Sequence, residues 1–542
     1  MRVSHALLLM YLHIGNDPPD YPRLEPYAKY ECWIDPMVAQ FAPYTPQQAR
    51  GGSDGIAEAL EVQYRTAVLR GKDVGFLRVI EGNVESARAA LVKARRLAHG
   101  NRVLVHYNGH GMPQATMLGE VWMFSRDRTH YVPLNILDMA ELVHSPTVYV
   151  IDCNAAGWVL QRWYAERQHE QLQELRAHDL FICACAANEM LPLSPALPAD
   201  LLTSCLTTPL KMALEWYIGF SQLKILLPHV TDDMIRSLPG DITDPCTPQG
   251  DLQLVLTAVT ETVAWCAMEP AQFQYLLRQD GSTAALFRNA VLADWLIRAI
   301  GCTPVMHPPL SEEAHVHPIW ELWVYTVERT VSQLPALLSP ETPQGYVTSS
   351  FFSDQLTAFE VWIDSGDLSE LPEQLPSVLL ALSLPQHQLR IFTLLVKYLD
   401  ASRVAGQRTI RCGVLPYMGR FMAQRPELFL VITVLWMQLI RADPAAGCAE
   451  MQRCQGERYF IGLLKLDERA TPTTAVEYGQ AGGHALRPGA CAPPVSPPRG
   501  PRPRPRHPRR EGRNSRSEGT RHSCRKKILK GDAPSTSPSE IP

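Results

Sequence analysis

No two of the thirteen cysteines stand in a CxxC spacing, and their number is odd. That argues against a disulfide framework and a zinc ribbon, and fits buried free thiols in a reducing compartment. No apolar run reaches the ~18 residues of a membrane span, so no membrane insertion is expected. The apolar stretch at 6–12 follows Arg2 but has no small-residue cleavage pattern after it, so it reads as a first strand rather than a secretory signal. There is no large excess of one charge either. A formal net charge of −4 is no nucleic-acid footprint for the whole molecule, and nucleic acid is not an expected partner. Asn108-Gly109-His110-Gly111 lacks the third glycine of a dinucleotide fingerprint and the Gly-Lys-Ser/Thr end of a phosphate loop. His315 and His317 have no cysteine or carboxylate at a ligand spacing. Neither a cofactor nor a metal is expected.

What is present divides into regions. The chain has 542 residues with 46% hydrophobic content, enough for several cores. Residues 1–220 alternate strand-like and helix-like segments. Strands are predicted at 6–14, 102–107, 147–151 and 179–187, and helices at 85–98 and 159–178. Such alternation predicts an α/β domain, a parallel sheet with covering helices. Residues 221–250 carry Pro228, Pro239, Pro245 and Pro248 and read as a linker.

From 251 to 470 the period becomes helical. Leu252, Val255, Leu256, Val259 and Val263 form one apolar stripe; Leu428, Val431, Ile432, Leu435 and Leu439 form another; Leu389, Phe392, Val396 and Leu399 form a third. Short breaks with Pro or Gly at 304–309, 340–345 and 372–376 separate the helices. Amphipathic helices joined by short turns, without a strand signal, predict an armadillo or HEAT-like all-α solenoid; an ordinary helical bundle is the alternative. Residues 471–542 are basic and Pro-rich, as in Arg502-Pro503-Arg504-Pro505-Arg506, and are expected to form a disordered tail without a core. No aromatic residues interleave with its cations, which argues against a base-stacking surface.

Two strand-to-loop junctions carry the chemistry. Val103-Leu104-Val105-His106-Tyr107 runs into Asn108-Gly109-His110-Gly111, and Thr147-Val148-Tyr149-Val150-Ile151 runs into Asp152-Cys153. In an open α/β sheet, functional groups gather at the strands' carboxyl ends. A His-Gly followed some forty residues later by a Cys is the chain order of caspase-like peptidases. His110 would be the base, Cys153 the nucleophile, and the Gly111 and Cys153 N–H groups the oxyanion donors. Against activity, Asp152 precedes the thiol and disfavours thiolate, although strand alternation predicts that it points away. The glycine of Asn154-Ala155-Ala156-Gly157 also lies too far along for a caspase signature, and no processing loop follows. A catalytically silent scaffold is therefore expected, with His110 and Cys153 as a vestigial dyad. An active cysteine peptidase using the same pair is the alternative.

Tyr30-Glu31-Cys32-Trp33-Ile34-Asp35-Pro36, Val105-His106-Tyr107-Asn108-Gly109-His110-Gly111, Gly119-Glu120-Val121-Trp122, Leu197-Pro198-Ala199-Asp200-Leu201, Thr203-Ser204-Cys205-Leu206-Thr207-Thr208-Pro209 and Gln355-Leu356-Thr357-Ala358-Phe359 resemble the Raptor family. These are regulatory scaffolds of target of rapamycin complex one. The resemblance implies a caspase-like domain without peptidase activity, then an armadillo-type solenoid that binds the target of rapamycin kinase. It also implies a groove between that domain and the first helices, receiving substrate proteins that carry short hydrophobic-acidic signalling motifs. Small GTPases at the lysosome are further implied partners, with a cytoplasmic location and recruitment to the lysosomal surface. In that family the solenoid is longer and a WD-repeat propeller follows, so a shortened form is expected here.

Overall fold

The computed structural model describes residues 2–12, 55–69, 74–167, 176–192, 197–221, 227–339, 345–365, 368–402, 404–458 and 460–461. Tyr30-Glu31-Cys32-Trp33-Ile34-Asp35-Pro36, the break at 340–344 and the basic tail lie outside them. Residues Met1–Arg469 form one compact unit.

A six-stranded sheet organises the first part. Its strands are β1 (Val3–Met10), β2 (Gly75–Ile80), β3 (Arg102–Asn108), β6 (Thr147–Asp152), β7 (Leu180–Cys183) and β8 (Val305–His307), in the order β2-β1-β3-β6-β7-β8. All neighbours run parallel except β7 and β8, which are antiparallel. Every residue of β3 and β6 is buried, as expected for strands covered on both faces, and this explains their nearly unbroken apolar runs. A separate hairpin pairs β4 (Glu120–Phe124) with β5 (Tyr131–Asn135).

The helices of this region include α1 (Ile56–Gln63), which runs into a π-turn at Tyr64–Val68, α2 (Val84–Ala98), α3 (Ile136–Val143), α4 (Gly157–Arg167), α5 (Leu201–Thr207) and α6 (Pro209–Phe220). Helix α2 starts where the Asn83 side chain accepts the Ser86 N–H (2.9 Å), an ordinary N-cap. The strand expected at 6–14 ends at Met10, and that at 179–187 spans only Leu180–Cys183. The helix expected at 159–178 is described as Gly157–Arg167, and residues 168–175 lie outside the described set.

Beyond these, the chain builds a helical solenoid. Within the stretch expected to be a linker lies α7 (Asp232–Arg236), whose first turn is capped by Thr231 (3.3 Å). Its last proline opens α8 (Pro248–Ala267), where a missing N–H costs nothing. Helices α9 (Pro270–Arg278), α10 (Gly281–Ala299), α11 (Ile319–Val331), α12 (Leu334–Leu337), α13 (Phe351–Ser365), α14 (Leu375–Leu380), α15 (Gln388–Ala401), α16 (Ala405–Cys412), α17 (Leu415–Gln424), α18 (Phe429–Ala442) and α19 (Pro444–Arg453) follow. The stripe Leu252, Val255, Leu256, Val259 and Val263 is buried throughout.

The third stripe holds in part: Phe392 is buried and Val396 and Leu399 pack half-buried against the core, whereas Leu389 is 60% exposed and α15 also buries Ile391, Leu395 and Tyr398. With so many apolar residues around α15, periodicity alone does not fix which face packs. The region also supplies β8, a strand with no local signal. Only three residues long, it is held by pairing with β7.

The sheet and the helices share a core. Buried Arg102, at the start of β3, donates to Thr283 Oγ1 (3.1 Å) and Tyr275 Oη (2.5 Å). The Asn289 amide donates to the Leu206 carbonyl (2.7 Å).

Candidate functional site

The register of β3 against β6 pairs Tyr107 with Ile151 and Asn108 with Asp152. The loops carrying His110 and Cys153 therefore leave the same sheet edge side by side. The Gly109 N–H donates to the Asp152 carbonyl (2.9 Å) and ties the loops together. A β-carbon at Gly109 would stand 2.3 Å from the Tyr107 ring, so that close turn requires glycine.

His110 is held by a carboxylate. Its Nε2 lies 3.0 Å from Asp152 Oδ1, and both side chains are almost fully buried. Asp152, expected to point away, faces this histidine because the His110 loop folds back over the end of β6. The other oxygen, Oδ2, accepts the Thr203 N–H (3.0 Å) and hydroxyl (2.5 Å). Burial alone would raise the Asp152 carboxyl; the His110 charge and hydrogen bond, with the Thr203 donors, outweigh it and hold the group below the usual carboxylate range.

The network continues inward. Because the Thr203 hydroxyl donates to Asp152, it accepts from His106 Nε2 (3.2 Å). His106 Nδ1 then accepts the Tyr64 hydroxyl (2.7 Å). This fixes the neutral Nε2–H tautomer. Burial pushes the His106 pKa down to about 4, against the pull of Asp152.

Cys153 sits in the opposite environment from a nucleophile. It is 1% exposed, and burial, then the Asp152 charge and Cys183, push its thiol well above the ordinary range. A reactive cysteine needs exposure and positive surroundings. The Gly111 N–H, expected as an oxyanion donor, donates to the Tyr11 carbonyl (3.1 Å). Past the cysteine, Ala155 takes a left-handed conformation (φ 55°). Gly157 then starts α4 hard against the 186–187 backbone, where a β-carbon would meet Ala187 N at 2.5 Å. The late glycine thus serves helix packing.

Sequence reasoning placed His110 and Cys153 at one edge but missed His106, Thr203 and Tyr64 as a joined network. Thr203 was visible only as a polar residue within a segment, 201–207, that is buried along its whole length.

A second feature is a cavity of about 1700 Å³ between the α/β layer and the first solenoid helices. Its walls come from the π-turn (Arg65, Val68), α6 (Lys211, Leu214, Ile218), α7 (Arg236), α8 (Leu254, Leu256) and α10 (Arg288, Leu292). Four cations and one carboxylate, Glu215, line it. Arg236 pairs with Glu215 (2.9 Å). Arg288 is held from behind by Glu261 (3.0 Å), which also takes Arg278 (2.6 Å). Burial would raise the Glu261 carboxyl, but the two guanidinium groups keep it ionised, below its ordinary value. Arg65 pairs with Glu61 (2.9 Å), so the lining combines apolar side chains with cations that are mostly paired to carboxylates.

Residues 1–163 match the family model described as the Raptor N-terminal CASPase like domain. Over 502 residues the chain is 34% identical to the target of rapamycin complex 1 subunit mip1 of Schizosaccharomyces pombe, covering 89% of this chain and 37% of that protein. It is 35% identical over 473 residues to regulatory-associated protein of TOR 1 of Arabidopsis thaliana, covering 86% of this chain and 34% of that protein. The crystal structure of Chaetomium thermophilum Raptor superposes with a TM-score of 0.71 at 33% identity, over 85% of this chain and 40% of that one. The chain thus spans little more than a third of the length of these curated relatives.

Proposed function

The chain belongs to the Raptor family, and from that premise we propose that it is a non-catalytic scaffold of a target of rapamycin complex 1. In this reading the kinase docks on the solenoid, which is of the armadillo or HEAT type, and the caspase-like domain serves as a platform. The groove between them receives short hydrophobic-acidic motifs of substrate proteins. Small GTPases act as further partners, and the chain is cytoplasmic with recruitment to the lysosomal surface in nutrient-responsive signalling. The domain limits under this reading are 1–220, a connection at 221–250, 251–470 and a tail at 471–542.

The observation that carries the non-catalytic part is the state of the would-be dyad. A fully buried thiol beside an ionised Asp152 favours the protonated, unreactive form. The binding part is supported by the groove, whose apolar lining and excess of cations match the proposed motif.

The test is capture of the target of rapamycin kinase by the intact chain and by Cys153→Ala. Both are expected to retain it equally. In parallel, fluorescence polarisation measures binding of a short peptide bearing one aromatic and two acidic residues. Lys211→Glu is expected to weaken it at least tenfold, because it reverses a charge on the groove wall and leaves the Arg288–Glu261 pair intact. Kinase capture lost in Cys153→Ala, or hydrolysis of peptides that vanishes in His110→Ala, overturns the proposal in favour of a peptidase.

A further inference from the structure

Three ligand-type side chains converge in the solenoid from separate elements. Cys266 lies in the last turn of α8, His317 just before α11, and Glu373 just before α14. Their ligand atoms all lie within 4.8 Å of one another. Local spacing could not reveal this, since Cys266 and Glu373 stand some fifty residues away from His317 on either side. The packing that joins them is specific. The Trp265 indole N–H, buried next to the cysteine, donates to the Pro372 carbonyl (3.1 Å) and pins the loop carrying Glu373. Helix α8 packs against both α11 and α14.

We infer that Cys266, His317 and Glu373 form a binding site for a zinc-class divalent transition metal ion, with one coordination position left to water. The donor set chooses the ion. One thiolate and one imidazole favour Zn²⁺ and its relatives, whereas Mg²⁺ and Ca²⁺ require oxygen ligands. The geometry is near closure. Ligands about 2.0–2.3 Å from a tetrahedral Zn²⁺ stand about 3.5 Å apart, so shifts of about 1 Å complete the set. Access is open, because Glu373 is exposed and the other two are half-buried.

Electrostatics points the same way. A dication held by one thiolate, one carboxylate and one neutral imidazole leaves no net charge in the site. His317 Nδ1 accepts the Ile319 N–H (3.2 Å), so Nε2 is the ligating atom. Ligation through Nε2 places the ring proton on Nδ1 and gives up the Ile319 hydrogen bond.

The test uses the full chain stripped with a chelator and titrated with Co²⁺ as the optical probe. A near-ultraviolet sulfur-to-cobalt charge-transfer band is expected to saturate at one equivalent and to bleach when Zn²⁺ is added. Cys266→Ala is expected to abolish the band; His317→Ala and Glu373→Gln each lower Co²⁺ affinity at least tenfold. Cys266→Ser serves as a second variant should the alanine fold poorly. Metal-free circular dichroism and Tm confirm that each variant is folded. No band in the native chain, or a band that survives in folded Cys266→Ala or Cys266→Ser through another cysteine, overturns the assignment.

Discussion

Replacing Asp152 by Ala tests whether the residues at the sheet edge serve structure. The carboxylate is fully buried. It holds His110 at 3.0 Å through one oxygen, and the Thr203 N–H (3.0 Å) and hydroxyl (2.5 Å) through the other. Alanine leaves a buried backbone N–H and an imidazole without their anion. Breaking one side of a buried, hydrogen-bonded charge pair costs about 3–5 kcal/mol. The Asn variant preserves shape and can still accept from Thr203, but it presents an N–H to His110 and forces the ring to change tautomer. It is expected to cost about 1–3 kcal/mol. Cys153→Ala removes one sulfur from a well-packed site and should cost about 1 kcal/mol. Urea unfolding of the intact chain, followed by tryptophan fluorescence, orders the three variants. The expected order of loss is Asp152→Ala, then Asp152→Asn, then Cys153→Ala. A loss for Cys153→Ala equal to that for Asp152→Ala, or an Asp152→Ala variant within ~1 kcal/mol of the native chain, refutes the argument.

The same packing has two further consequences. His106 is buried and neutral, with a folded pKa of about 4 against about 6.5 unfolded. The unfolded chain binds the extra proton between those values, so stability falls by about 3 kcal/mol as pH drops from about 6.5 to 4. Below that window Asp152 takes over, because its depressed pKa gives stability that is present above about pH 4 and is lost as pH falls through the folded value. His106→Gln, neutral at every pH, is expected to flatten the upper limb of a pH series of urea midpoints; an unchanged slope would contradict the network. Gly157→Ala places a β-carbon against the Ala187 amide and should destabilise by about 1–3 kcal/mol in thermal unfolding. Gly55→Ala, with nothing within 4 Å, should be neutral or slightly stabilising; equal effects at the two glycines would count against the packing reading.

Much of the architecture was legible because it rests on local chemistry. Unbroken apolar runs marked β3 and β6, since strands covered on both faces have no polar side. A stripe at 3.6 spacing marked α8. His110 and Cys153 were placed at one edge because parallel strands end together. What failed depended on partners distant in sequence. Strand β8 exists only because β7 offers it an edge. The buried face of α15 takes in Ile391, Leu395 and Tyr398 beside the expected Phe392 and leaves Leu389 out, since its neighbours decide which apolar residues are buried.

The sequence by itself therefore determined the strand-and-helix alternation around β1, β3, β6 and β7, the chain order of the histidine and cysteine, and the family resemblance. Each of these is written in residue type and short-range spacing. Only the tertiary structure decided what the residues do to each other. It turned Asp152 toward His110 and joined His106, Thr203 and Tyr64 into one buried network. It closed a cation-rich groove from four cations spread between residues 65 and 288, and it brought Cys266, His317 and Glu373 together. The physical reason is that ionisation and ligation depend on distance and desolvation, and both are set by packing between segments far apart in the chain.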